Sequence, residues 1–303
     1  MIRHLVFCSF SCFVAVCALG QEITRNPTGR SWMSQLSDTT WISDLSIPGT
    51  HNSGALYEPI AGTAACQTMT IADQLEAGVR FFDIRCRHED DRFTIYHGPV
   101  FQKQSYDEIE NVMRTFLKKH DKEVLLVTLK QENSPRRISK PFDQTVRQYI
   151  ENSGGLYFTK GHLPQLKEVR GKVVLLRRFP TKPDLGIDAT NWGHSGAYQG
   201  RQLFVQDRFE LPNASAKWSL VKDALHQAKN IDDERILHLN FTSGYVKNVL
   251  GLPNIEAISD AINPKLIEFL GHSNQRRLGC VVTDFMTPEL SRAIYRQNFK
   301  LEK

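Results

Sequence analysis

The sequence predicts an α/β fold, a single-domain and irregular (β/α) TIM barrel, on three observations. Apolar runs of five to eight residues alternate along the chain with amphipathic segments that carry helix-start patterns. The alternation continues with no second linker and no low-complexity stretch. Polar and charged residues recur where the apolar runs end, which is where a parallel barrel gathers its chemistry.

Residues 1–20 come first. They join a short positive start (Arg3, His4), an apolar run over 5–19 and the small-residue site Ala18-Leu19-Gly20, the pattern of a signal peptide. The run is short for a membrane span and no stop-transfer charges follow it, so a secreted chain, periplasmic or extracellular, is expected. A lipid anchor at Cys17 is the weaker alternative, because bulky Val16 precedes it. Removing residues 1–20 leaves 283 of the 303, enough for one large domain and awkward for two. Residues 21–31 read as a polar linker and 32–303 as the barrel.

Strand candidates lie at 41–47, 79–86, 93–97, 124–130, 173–179, 203–209, 236–241 and 279–285. Most are continuous apolar runs, as expected when both faces of a parallel sheet are covered. Between them, Ser105 to Glu108 (SYDE) is a capping-box pattern opening a helix to about His120, with Ile109, Val112, Met113, Phe116 and Leu117 on one face. Thr70 to Asp73 (TIAD) opens another, which Gly78 closes, and Thr287-Pro288 opens the last. Helices after the first and second strand candidates look short or absent, which is why the expected barrel is irregular.

Composition narrows the class further. With 41% hydrophobic and 23% charged residues, the chain is neither disordered, collagen-like nor a multi-span membrane protein. The formal net charge is +5, and +4 once Arg3 leaves with the signal peptide. That suits an anionic substrate or lipid surface, but it is too weak and dispersed for a nucleic-acid partner. Three cysteines remain after cleavage: Cys66, Cys86 and Cys280. One intrachain bridge, with Cys66 and Cys86 the nearer pair, and three buried free thiols are both open readings. No CxxC pair exists, which disfavours a structural zinc site.

The strand ends carry His51, Asp83, Arg85, His97, Lys130, Arg178, Asp207 and Asp284. Two histidines can serve as base and acid in one displacement, an arginine can grip a phosphate through two hydrogen bonds, and a carboxylate can fix a histidine's tautomer. That set suits phosphoryl transfer without a metal. Taken singly, each residue has a plainer reading, as a surface histidine, a strand-end ion pair or, for Asp284, a helix cap.

The motifs IPGTHNSG (47–54), FDIRCR (82–87) and IYHGP (95–99) resemble the catalytic X region of bacterial phosphatidylinositol-specific phospholipase C. The likeness continues through VTLKQE (127–132), VVLLRR (173–178), VQDRF (205–209), LNFTS (239–243) and VVTD (281–284). It implies an irregular TIM barrel and a two-step reaction, in which the inositol 2-hydroxyl displaces diacylglycerol to leave an inositol 1,2-cyclic phosphate that water can open slowly. It further implies that His51 is the general base, Asp284 its orienting carboxylate and His97 the general acid. Arg85 would contact the phosphate with Asp83 beside it. Lys130, Arg178 and Asp207 would hold inositol hydroxyls, and Glu132 would support them.

Two positions depart from the bacterial pattern. Asn52 stands where those enzymes have an aspartate that supports the acid histidine and the arginine. Phe209 stands where they have a tyrosine against the inositol ring. The calcium-dependent branch also has His-Asn here, but it holds calcium with carboxylates at the positions of Asp83, Arg85 and Lys130. Cations at two of those three repel Ca²⁺, so no metal or other cofactor is expected.

The expected partner is phosphatidylinositol in a membrane surface, met transiently by a monomer. Apolar residues at 56–60 and 245–252 are candidates for the contact, with core packing as the competing reading. Rival functions are a metal-dependent glycerophosphodiesterase on a similar barrel, disfavoured by Arg85 and Lys130, and a non-catalytic inositide-binding protein, disfavoured by the retained histidines.

Overall fold

Continuous apolar runs can bury both faces of a sheet, and six of the eight candidates form strands of this kind. The computed structural model describes residues 27–229 and 235–300, so the expected signal peptide and most of the expected linker lie outside the described residues. In chain order the elements are β1 (Ser46–Thr50), α1 (Ile71–Ala77), β2 (Phe81–Glu89), β3 (Arg92–His97), β4 (Val100–Ser105), α2 (Tyr106–Lys119), β5 (Leu125–Arg136), α3 (Phe142–Asn152), β6 (Tyr157–Phe158), α4 (Leu166–Val169) and β7 (Val173–Arg177). Then follow β8 (Ile187–Asp188), β9 (Gly196–Gln199), β10 (Leu203–Asp207), α5 (Ala214–Lys229), β11 (Leu237–Phe241), β12 (Val246–Lys247), β13 (Pro253–Asn254), α6 (Glu256–His272), β14 (Gly279–Thr283) and α7 (Pro288–Tyr295).

The sheet runs β6-β7-β5-β2-β1-β14-β11-β10-β9, parallel throughout except that β9 lies antiparallel to β10. Among the described residues no ladder joins β9 back to β6 or β8, so the sheet curls into a barrel without closing. This is the irregular form that the sequence predicts.

All three helix-start patterns form. Ser105 Oγ accepts from Glu108 N, and the Glu108 carboxylate accepts from Ser105 N at 2.7 Å. Thr70 and Asp73 do the same for α1, and Thr287 caps α7 with Pro288 in its first turn. Gly78 ends α1 at φ 109°, where a Cβ would meet the Tyr295 ring at 2.9 Å.

Two candidates behave differently. In 41–47 the apolar residues Ile42 and Leu45 do not form the strand; Ile42 opens and Leu45 follows a 3-10 turn (Ile42–Asp44) that plugs the barrel base, and the strand starts at Ser46. Residues 93–97 form β3, which pairs antiparallel with β2 and β4 as a branch off the curled path of the sheet. At 27–31 the end of the expected linker is packed: Tyr295 donates to Pro27 O, and Arg80 donates to Gly29 O at 2.9 Å. Cys66, Cys86 and Cys280 are all buried and free, so the free-thiol reading holds.

Strand periodicity divides the core. Ile47, Phe81, Leu126, Val174, Val205, Leu239 and Val282 share the interior cluster with the base plug. Their neighbours Phe82, Leu125, Val127, Val173, Leu175 and Val281 pack with residues of the helices. Because side chains alternate with period two, two further residues along each strand return to the inner face. From these apolar positions that step reaches Asp83, Thr128, Asp207, Phe241 and Asp284, and a second step reaches Arg85, Lys130 and Arg178. The same parity that fills the lower barrel aims charge at its upper mouth.

The base holds a fully buried ion pair. Arg80 Nη2 lies 2.8 Å from Glu123, whose carboxylate also accepts from the amides of Met33 and Ser34. Removing one partner strands the other charge, so Glu123→Ala is expected to cost about 3–5 kcal/mol. Urea unfolding followed by circular dichroism reads this; a loss below about 1 kcal/mol would show that Arg80 finds other support.

Candidate active site

Each functional side chain enters the barrel mouth from a strand end. His51 follows β1 and Asp284 follows β14, and the register that pairs Thr50 with Thr283 brings them together. His51 Nδ1 lies 2.7 Å from Asp284 Oδ1, in a nearly dry environment. That contact assigns the proton to Nδ1 and leaves the ring's lone pair on Nε2, 3.3 Å from Asn52 Nδ2. Gln67 braces the arrangement from a loop, donating to both His51 O (3.0 Å) and Thr283 O (2.8 Å).

His97 ends β3 and faces His51 edge-on, with ring centroids 6.2 Å apart. Its Nδ1 is bound to the carbonyl of Ala64 at 2.7 Å, so Nε2 is the nitrogen left to act. The loop that presents this carbonyl is folded around Glu58, whose carboxylate accepts from the amides of Gly62, Thr63, Ala64 and Ala65. Burial, with His51 and Arg85 adding to it, pushes His97 below the usual histidine range, although the Ala64 carbonyl and Glu132 oppose the shift. A lowered pKa makes the ring a stronger acid once it is protonated.

Asp83 anchors the cations. Its Oδ2 lies 3.0 Å from Arg85 Nη2, and its Oδ1 accepts from Thr128 Oγ1 at 2.9 Å and lies 3.5 Å from Arg178. Burial would raise this carboxyl, but Arg85 and Arg178 outweigh it and hold Asp83 far below the carboxylate range. Glu132 sits between Arg85 (3.7 Å) and Lys130 (3.4 Å) and accepts from Gly98 N. Gly98 turns the chain after His97 at φ 50°.

Arg178 lies over the Trp192 ring at 3.5 Å, and burial depresses it to about 10. Trp192 Nε1 also donates to Asp207 Oδ2 at 3.1 Å. Asp207 Oδ1 and Arg178 Nη1 are buried without a hydrogen-bond partner. His51, Arg85, His97, Phe209 and Asp284 line one pocket, together with Thr63, Gly244, Tyr245, Pro253 and Ile255. Phe209 packs edge-on against His194 and tilts toward Tyr245.

Every residue singled out from sequence therefore lies at or beside this mouth. Asn52 differs in its partner. It takes φ 40°, which asparagine tolerates, its amide N donates to Asp83, and its side chain lies 3.3 Å from His51 Nε2. The support expected for the acid histidine comes from the Ala64 carbonyl. Sequence reasoning missed Gln67, Trp192, Thr128 and the buried Lys217, which donates to Arg208 O at 2.7 Å. Thr128 was within reach of the period-two count; the others come from loops or helices where no period points inward.

Comparison with known proteins agrees with this geometry. The family profile described as phosphatidylinositol-specific phospholipase C, X domain, matches residues 40–179. The chain is similar to the 1-phosphatidylinositol phosphodiesterase of Listeria monocytogenes, 31% identical over 293 residues, covering 92% of this chain and 88% of that protein. The solved Listeria monocytogenes phosphatidylinositol-specific phospholipase C superposes with a TM-score of 0.75 at 28% identity, over 90% of this chain and 99% of that one. A Staphylococcus aureus phosphatidylinositol-specific phospholipase C, solved in work on modulation of its membrane binding, gives 0.78 at 25% identity, over 88% and 97%. With that identity over nearly its whole length, the chain belongs to the phosphatidylinositol-specific phospholipase C family.

Proposed function

We propose that the protein cleaves phosphatidylinositol in a membrane surface to diacylglycerol and inositol 1,2-cyclic phosphate, without a metal ion. One observation carries this reading: a histidine–carboxylate pair at 2.7 Å shares a pocket with a second histidine and an arginine. His51 Nε2 takes the proton of the inositol 2-hydroxyl, and Asp284 steadies the imidazolium that forms. The 2-hydroxyl oxygen attacks phosphorus while Arg85 grips the phosphate oxygens. His97 Nε2 delivers a proton to the departing diacylglycerol oxygen. Arg178 Nη1 and Asp207 Oδ1 are a donor and an acceptor for inositol hydroxyls. Both atoms are buried without a hydrogen-bond partner, a state that costs about 1–3 kcal/mol when a polar group is left unsatisfied.

Calcium chemistry of the family's other branch finds no support in the side chains. Arg85 and Lys130 stand where that branch has carboxylates, and they already neutralise Asp83 and Glu132. Diacylglycerol release from phosphatidylinositol vesicles is therefore expected to be the same in EDTA as in added Ca²⁺. A strict Ca²⁺ requirement would overturn the reading.

Membrane contact fits the same face. Ile60 is 56% exposed, Leu250 78% and Val249 fully so, and their segments flank the pocket residues Thr63, Tyr245 and Pro253. Leu56 is half-buried. Burying one such side chain is worth about 1.5–3 kcal/mol. Ile60→Asp with Leu250→Asp is therefore expected to lower co-sedimentation with phosphatidylinositol vesicles by about tenfold or more while leaving the melting temperature unchanged. Unchanged vesicle binding would place the contact elsewhere. No helix among the described residues is long and apolar enough to cross a membrane. The proposal includes an exported monomer that meets the bilayer transiently, and export rests on the sequence of residues 1–20.

A further inference from the structure

Cys66 plays no part in the proposed reaction, yet it sits against both histidines' supports. Its Sγ is 3.6 Å from His97 Nδ1 and 3.9 Å from Ala64 O, the carbonyl that holds that ring. His51, Cys66 and Asp284 each offer one ligand atom, and these three atoms lie within 4.8 Å of one another. Among the described residues no other three His, Cys, Asp or Glu side chains converge in this way. We infer that these three residues form an inhibitory site for a borderline-soft divalent cation, Zn²⁺.

The donor set is the first reason. Imidazole, thiolate and carboxylate are zinc ligands, whereas Ca²⁺ and Mg²⁺ take oxygen donors. One thiolate and one carboxylate balance the two charges of the ion. Three protein ligands leave a fourth position for water or a phosphate oxygen. This set shares no residue with the Asp83, Arg85 and Lys130 positions considered for calcium.

Preorganisation is the second reason. The ligands arrive from β1, from the loop before α1 and from β14, yet their backbones are already tied together. Cys66 N donates to Ala55 O at 2.9 Å, and Phe285 N donates to Cys66 O at 2.7 Å. Gln67, the next residue, bridges the carbonyls of His51 and Thr283. Tetrahedral zinc with bonds of about 2.0–2.3 Å sets its donors roughly 3.3–3.8 Å apart. The loosest contact must therefore close by about an ångström, and the 2.7 Å His51–Asp284 contact must open by roughly half of one.

The exchange balances without redox chemistry. Cys66 releases its thiol proton to solvent and gives a sulfur pair to the metal, while Asp284 gives a carboxylate oxygen pair. His51 gives the single in-plane lone pair of its neutral ring. With that pair engaged, His51 has nothing left to accept the 2-hydroxyl proton, whichever nitrogen binds. Inhibition rests on the reaction proposed above; binding does not.

Cobalt serves as the spectroscopic probe. Metal-stripped protein titrated with Co²⁺ is expected to develop a thiolate-to-cobalt charge-transfer band that saturates at one equivalent, and Zn²⁺ is expected to bleach it. C66S should abolish the band and weaken Zn²⁺ by at least the ~10–100-fold seen when groups that merely support a ligand are lost. C280S should keep both band and affinity. H51Q removes a different ligand and should weaken Co²⁺ binding while the band persists at saturation, which keeps the test decisive if C66S does not fold. Absence of a thiolate band, or a band that survives in folded C66S, overturns the site. Cleavage of phosphatidylinositol vesicles is read in parallel and should fall with zinc occupancy and return with EDTA. Occupancy without loss of activity overturns the inhibitory role. Metal-free protein that binds Co²⁺ through Cys66 but never cleaves the lipid would refute the proposed reaction and leave the metal site standing.

Discussion

Replacing His51 with alanine is expected to lower kcat for phosphatidylinositol cleavage by about 10²- to 10⁴-fold, the usual contribution of a positioned general base. The change removes the lone pair that takes the 2-hydroxyl proton. It also leaves Asp284 without the ring that it orients at 2.7 Å. Asp284 keeps its backbone anchors, since Asn263 Nδ2 donates to its carbonyl at 3.0 Å, so the strand end should stay in place. Steady-state kinetics on phosphatidylinositol vesicles give the number, and an unchanged melting temperature shows that the barrel is intact. Activity within tenfold of the parent would remove His51 from the mechanism.

Arg85 carries the second large effect. Its guanidinium reaches both Asp83 (3.0 Å) and Glu132 (3.7 Å), and although burial would lower its pKa, these carboxylates and Asp207 raise it. A planar fork held in this way is preorganised for the phosphate oxygens. Arg85→Ala is expected to cost about 10²–10³ in kcat, with a smaller change in KM because charge develops mainly in the transition state. Asp83 retains Arg178, Thr128 and the Asn52 amide, so the strand should survive the loss. Arg85→Lys keeps a charge but not the paired donors, so it should recover only part of the rate. Full recovery with lysine would mean that charge alone suffices.

Much of this was legible in the chain because parallel barrels write their geometry into sequence. Strands covered on both faces read as unbroken apolar runs, and 173–177 and 279–283 are buried at every position. Period-two spacing then locates Asp83, Arg85 and Asp284 on the inner face. Two segments misled for identifiable reasons. Residues 41–47 are apolar because they close the barrel base, and a plug and a strand look alike in a short window. Residues 93–97 alternate Phe93, Thr94, Ile95, Tyr96; that alternation marks a strand with one covered face, which is what β3 is. Gln67, Trp192 and the Ala64 carbonyl were out of reach, because loop residues have no period and a backbone acceptor leaves no mark on residue identity. Asn52 was noticed, but its direction was not: only the folded turn shows its side chain beside His51.

In the proposed reaction His51, His97 and Arg85 drive intramolecular attack by an inositol hydroxyl without a metal. Phosphorus-31 NMR of phosphatidylinositol vesicles incubated with the purified protein in EDTA tests it most directly. An inositol 1,2-cyclic phosphate resonance is expected to grow as the lipid phosphodiester signal falls, and neither is expected to change with the His51→Ala protein. Inositol monophosphate formed with no cyclic precursor, or a cyclic product that appears only when Ca²⁺ is added, would contradict it.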